Sequence, residues 1–143
     1  MRPLLVGMNN PVSVDPRHAL YPVPRGCTGH RLWLVLNEFD GTSVSRYLRH
    51  FERVNLVQGR WNAVTARARA QELRPTMSGR SSVLLGREVW GAFHLPRVEA
   101  CASVDLHDAV VYFVPHPSGR NLWYNDGDNR RRVGQLLASL ARP

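Results

Sequence analysis

The chain has 143 residues, 43% of them hydrophobic, and 19 Lys+Arg against 11 Asp+Glu give a formal net charge of +8. That length suits one domain over residues 1–143 with a single core. No apolar run approaches the roughly 20 residues that cross a bilayer, and Cys27 and Cys101, without CxxC spacing, exclude a disulfide framework, an iron–sulfur cluster and a cysteine zinc site.

The apolar start over residues 1–7 is too short for a signal peptide, so an intracellular protein is expected, cytoplasmic or nucleoid-associated. Every basic residue is Arg. This is the usage a GC-rich genome produces, and it also suits nucleic acid, because Arg grips phosphate with two parallel N–H groups and stacks on bases. The charge therefore fits a polyanionic partner.

In chain order, residues 3–7 (PLLVG) read as a continuously apolar strand, buried on both faces. The loop Gly7-Met8-Asn9-Asn10-Pro11 follows. Residues 12–27 form a long connection with Pro16, Pro22 and Pro24 that holds His18 and Tyr21. A loop of that length in a small domain is usually functional or disordered. Thr28 is the expected cap of a helix over residues 29–39, with Leu32, Val35, Leu36 and Phe39 on one face. A second helical piece follows Thr42-Ser43. Residues 53–57 read as a second strand and residues 61–73 as a helix stopped by Pro75. A third strand over 82–86 leads into a helix over 87–93. Residues 94–106 fit no single pattern. The apolar run over 109–114 is the fourth strand, and Asp126 or Asp128 caps a last helix over 129–140.

This alternation predicts an α/β fold, a three-layer αβα sandwich with a four-stranded parallel sheet in the order 2-1-3-4. That order sets the Gly7–Pro11 loop beside the third strand, at the switch point where open sheets bind ligands. The strand ends then bring Asn9, Asn10, Asn55, Arg87 and His116 to one rim. No carboxylate stands there; Asp15 is the nearest, in the long loop. No Gly-x-Ser-x-Gly elbow, Walker loop or dinucleotide fingerprint is present, and the His residues lack metal-ligand spacing. What remains is a site of neutral amides and one imidazole, suited to a heterocycle and an oriented water. Each residue also has a plainer reading. Asn9 and Asn10 suit a turn, Asn55 suits a backbone contact at a strand end, and Tyr21 suits packing. His18, His30, His50, His94 and His107 read as surface or packing residues, and Arg130-Arg131-Arg132 as a solvated helix face.

With these residues in place, the sequence resembles the uracil-DNA glycosylase superfamily. Leu4-Leu5-Val6-Gly7-Met8-Asn9-Asn10-Pro11 is similar to the first signature, Gly-Met-Asn-Pro after a strand, as in the single-strand-selective monofunctional and mismatch-specific branches. His116-Pro117-Ser118-Gly119-Arg120-Asn121 is similar to the second signature, His-Pro-Ser-Pro-Arg-Asn. Val54-Asn55-Leu56 matches the strand that carries a base-reading Asn, and the run from Val83 to Trp90 matches the third strand and its helix. The resemblance extends over residues 4–123.

It implies a metal-independent monofunctional glycosylase with no cofactor, acting as a monomer on DNA. Asn9, or Asn10 beside it, would orient the attacking water, and His116 would stabilise the departing base. Asn55 would read the pyrimidine edge and Tyr21 would stack on it, with Met8 completing the base-binding set. Arg120 would fill the vacated stack, with Ser118, Gly119, Asn121 and Arg87 at the DNA. The substrate would be uracil or a related modified pyrimidine. The alternatives are a glycosylase selective for a hypermodified pyrimidine, or a non-catalytic base-flipping module of the same fold. The chain departs from the pattern in its second Asn, in Gly119 where Pro is usual, and in its short length.

Overall fold

Strand β1 (Leu4–Asn10) is the axis of the sheet, and its first four residues are buried because helices cover both of its faces. The computed structural model describes residues 1–142. Leu4 and Val6 pack into one core and Leu5 into the other, as the two-residue period of a strand requires. The remaining strands are β2 (Glu52–Gln58), β3 (Ser81–Leu85), β4 (Ser103–Leu106) and β5 (Ala109–Val114). They form one five-stranded sheet in the order β2-β1-β3-β5-β4.

The expected four-stranded parallel sheet is therefore a five-stranded mixed one. Strands β2, β1, β3 and β5 run parallel, while β4 pairs antiparallel with β5. The added strand comes from the stretch that fitted no single pattern. Its partner register, Leu106↔Ala109, leaves only His107 and Asp108 for the turn, and His107 adopts φ 55.

Helices α1 (Thr28–Asp40), α2 (Val44–His50) and α5 (Gly127–Ala141) cover one face. There Leu32, Leu36, Tyr47, Val133 and Leu137 meet Leu5, Val83 and Val114. Helices α3 (Ala63–Leu73) and α4 (Arg87–Ala92) cover the other, where Ala66, Ala70, Val89 and Trp90 meet Val6, Leu84 and Phe113. Each such aliphatic side chain, fully buried, contributes about 1.5–3 kcal/mol of transfer free energy.

One cap differs from expectation and one settles an alternative. Cys27, not Thr28, caps α1, its Sγ accepting from His30 N at 3.4 Å. Asp126 caps α5 by accepting from Asp128 N at 2.9 Å. Pro75 enters a 3₁₀ turn that follows α3.

One feature of the sheet positions the site. β1 pairs with β2 as far as Asn10↔Gln58, but with β3 only as far as Val6↔Leu84. Asn9 and Asn10, expected in a loop, thus lie on the strand end, held by β2. Beyond Val6 the edge of β1 that faced β3 is open, at the carboxyl ends of the parallel strands. Among the described residues no helix is long and apolar enough to cross a membrane.

Candidate functional site

The gap beside β1 opens into a cleft of about 920 Å³. It brings together Met8, Asn9, Asn10, Tyr21, Asn55, His116, Ser118 and Gly119. The Met8 side chain packs against the core on the α3–α4 face.

The two adjacent amides are engaged differently. Asn9 Nδ2 donates to the Gly59 carbonyl at 2.8 Å, which fixes the amide and leaves Oδ1 as a free acceptor in the cleft. Asn10 Oδ1 accepts from Val12 N at 3.0 Å and Ser13 N at 3.1 Å. That is an Asx turn, which shapes the loop after β1.

Asn55 stands on β2 opposite Gly7. It is 3% exposed, and its side-chain amide has no hydrogen-bond partner among the described residues. A Cβ at Gly7 would lie 2.4 Å from Asn55 Oδ1, so any larger residue at position 7 would push the amide away. The backbone contact that the plainer reading gave Asn55 is not made. A buried amide left open to a cleft is a group that awaits a ligand or water.

Tyr21 owes its place to three donors on consecutive carbonyls. Arg53 Nη1 donates to Ala19 O at 2.8 Å, Tyr47 Oη to Leu20 O at 2.9 Å, and Cys27 Sγ to Tyr21 O at 3.4 Å. They come from β2, α2 and the cap of α1. Together they hold Leu20 at φ 50, a strained value for a non-glycine residue. Burial raises the pKa of the Tyr47 phenol, which keeps its donating proton. The Arg53 guanidinium lies 5.6 Å from the centroid of the Tyr21 ring.

His116 follows β5 on a loop tied down on both sides. Tyr124 Oη donates to Pro115 O at 2.6 Å and Asn121 Nδ2 to His116 O at 2.9 Å. Gly86 at φ 99 gives the imidazole room: a Cβ there would stand 3.1 Å from His116 Cβ. Burial lowers the pKa of His116, and the negative charge of Glu88 partly offsets that. The imidazole is therefore neutral at pH 7, with one donor and one acceptor nitrogen.

Three residues expected at the DNA lie elsewhere on the rim. Arg87 and Asn121 line a second cleft of about 610 Å³, which shares only His116 with the first. Arg87 stacks 4.3 Å from the Phe113 ring centroid, and Asn121 caps the 3₁₀ turn at Leu122–Asn125. Arg120 is exposed on the loop between the clefts. Within the Arg run, Arg130 pairs with Glu38 and Arg132 donates to Ala100 O.

Several cleft residues were given other roles by the sequence or none. His18 shares a 2.8 Å hydrogen bond with Ser13 Oγ, and both line the cleft. Cys27, Thr28 and Gly29, at the start of α1, form another wall; they were legible only as a helix beginning after a Pro-rich loop. Asp15, the nearest carboxylate by sequence, is not among the cleft residues. It is bonded to Arg17, chiefly through side-chain hydrogen bonds that hold its pKa at about 2. Among the described residues no group of three or more His, Cys, Asp and Glu is arranged to hold a metal ion.

No protein-family model matches the chain, and no curated protein matches it. The chemistry of the cleft itself carries the functional argument. It offers an unpartnered amide, a neutral imidazole, a fixed amide oxygen and an aromatic wall, a set that recognises a flat heterocycle and orients a water beside it.

Proposed function

We propose that the protein is a monofunctional DNA glycosylase of the uracil-DNA glycosylase superfamily, hydrolysing the N-glycosidic bond of uracil or a related modified pyrimidine. The observation that carries this reading is the convergence of Asn9 near the end of β1, Asn55 in the middle of β2 and His116 just after β5 on one cleft walled by Tyr21.

The Asn55 amide donates to O4 and accepts from N3–H of the flipped base, which satisfies the group the fold leaves open. Tyr21 stacks on the ring, worth about 1–3 kcal/mol for a base on an aromatic side chain. Neutral His116 donates to O2 as the C1′–N1 bond breaks and the electron pair moves onto the base. A donor in that role is worth about 10²–10³ in rate. Asn9 Oδ1 accepts from the water and directs its oxygen at C1′. The products are the free base and an abasic site. An amide is a weak base, so stabilisation of the leaving group drives the reaction.

The test is incubation with a uracil-containing oligonucleotide followed by hot alkali, which cuts at abasic sites. Strand scission is expected, and its absence with uracil and with a panel of modified pyrimidines would refute the enzymatic reading. The size of the cleft favours a second reading. At about 920 Å³ it lies near the top of the usual range for small-molecule sites, about 300–1,000 Å³. It leaves room for a pyrimidine with a bulky 5-substituent. Release of such a base from modified DNA, with plain uracil untouched, distinguishes the two. Salt-sensitive DNA binding with no base released from any substrate would instead identify a base-flipping module.

A further inference from the structure

We propose that Arg31 and the opening turn of α1 form the phosphate grip of this cleft, closing on a phosphodiester of the bound strand. The inference deepens the glycosylase reading and rests on it.

Arg31 is exposed in the first turn of α1. Its Nε donates to Gly26 O at 3.2 Å, which folds the side chain back over the helix start. Its Nη2 then lies only 2.7 Å from where a Cβ of Gly119 would stand. The guanidinium thus bridges the beginning of α1 and the loop after β5 through Gly26 and Gly119, which both line the cleft, while Arg31 itself stands just outside that lining. Among the described residues no carboxylate pairs with it. With Nε held by Gly26 O, the two terminal nitrogens remain free beside the cleft, and their planar N–H groups match phosphate oxygens.

The helix start adds to the same field. Helix α1 runs 13 residues. Its capping residue Cys27 takes the amides of His30 and Arg31 through Sγ and its carbonyl. The amide of Thr28 keeps no acceptor in the fold and the residue lines the cleft, while Gly29 beside it is buried against the Leu20 and Tyr21 carbonyls. Free N–H groups at the positive end of a helix favour an anion. The independent sign of a ligand is Asn55, a residue 3% exposed that lines the same cleft and whose amide makes no hydrogen bond within the fold. A ligand with a heterocyclic edge for Asn55 and an anionic group for Arg31 is a nucleotide unit. The net charge of +8 selects a polymer of such units.

Gly119 now has a physical reason. It is not among the glycines with positive φ, so its backbone suits any residue. What the missing Cβ supplies is clearance for the Arg31 head group.

The experiment measures Kd of the full chain for a fluorescent uracil-containing oligonucleotide against salt concentration, with thermal melts confirming that each variant folds. Arg31→Gln should weaken binding about tenfold at low salt, the loss of one charge-assisted contact. It should also reduce the log K against log[salt] slope by about one. Gly119→Ala, which shifts the flexible guanidinium but keeps its charge, should weaken binding less than Arg31→Gln does, and it should add nothing in the Arg31→Gln background. An unchanged salt slope in Arg31→Gln, or losses that simply add, would overturn the grip. So would oligonucleotide binding too weak to measure in the unsubstituted chain. Competition with deoxyuridine monophosphate separates the two sources of phosphate: displacement at concentrations comparable to the oligonucleotide would overturn the polymer assignment. Arg31-dependent DNA binding without release of any base would leave the grip standing and refute the glycosylase reading.

Discussion

Replacing Asn55 with Leu should stabilise the protein while disabling it. The residue is 3% exposed, and its amide, with Oδ1 against Gly7 and no protein partner, meets water only through the cleft. An unsatisfied buried polar group costs about 1–3 kcal/mol, and cleft water recovers part of that. Leu has nearly the same shape and adds apolar contact with Leu20, which shares the space beside Gly7. A net gain of about 1 kcal/mol follows, or about 3–5 °C in Tm for a chain of this size. On the proposed glycosylase reading the same change removes both hydrogen bonds to the base edge, so kcat/KM should fall by about 10² or more. Thermal denaturation by circular dichroism and base release from a uracil oligonucleotide measure the two effects. A Tm lowered by several degrees would refute the reasoning, because it would mean that the amide is bonded within the fold.

The neighbouring amides should separate in the same assays. Asn9→Ala should cut the rate by about 10²–10³ with little change in Tm. Asn10→Ala should cost about 0.5–1.5 kcal/mol of stability and keep most of the rate. Tyr47→Phe leaves the Leu20 carbonyl buried without its donor, so it should cost about 1–2 kcal/mol and raise KM more than it lowers kcat, as Tyr21 loosens. His116 titrates below its usual 6.5 in the folded chain and near that value when unfolded. The unfolded state therefore binds more protons in that window. The stability from the neutral imidazole is present above pH 6.5 and lost as the pH falls through the folded pKa. The acid limb of kcat/KM should lie in the same range. His116→Gln should remove both dependences in a pH–rate profile and in denaturant titrations at acid and neutral pH.

The helices and parallel strands were legible in the sequence because their signals are local. The apolar run of β5 and the Pro that ends α3 fix an element within a few residues. The hairpin of β4 was not legible. Its strand is four residues long and its turn is His107-Asp108, without the Gly or Asn that announces a two-residue turn. The extension of β1 to Asn10 was hidden for another reason. Asn9 and Asn10 look like turn residues, and only pairing with β2, some fifty residues away, makes them strand. The site was legible as far as its residue types were unusual for strand ends, which found Asn9, Asn55 and His116. The start of α1 and Arg31 were hidden, since nothing local shows that a helix beginning after a long loop comes back to the same rim.

The register of β1 on β2 makes the cleft a ruler. Asn55 pairs with Gly7, and Asn9 lies two residues further along β1 on the same face. Strand spacing and rise therefore set the two Cα atoms roughly 8 Å apart. That separation is written in main-chain hydrogen bonds and does not depend on which side chains fill the helical layers. Repacking α1 or α3 would leave it intact, whereas one inserted residue in β1 would turn Asn9 to the opposite face and erase the measure.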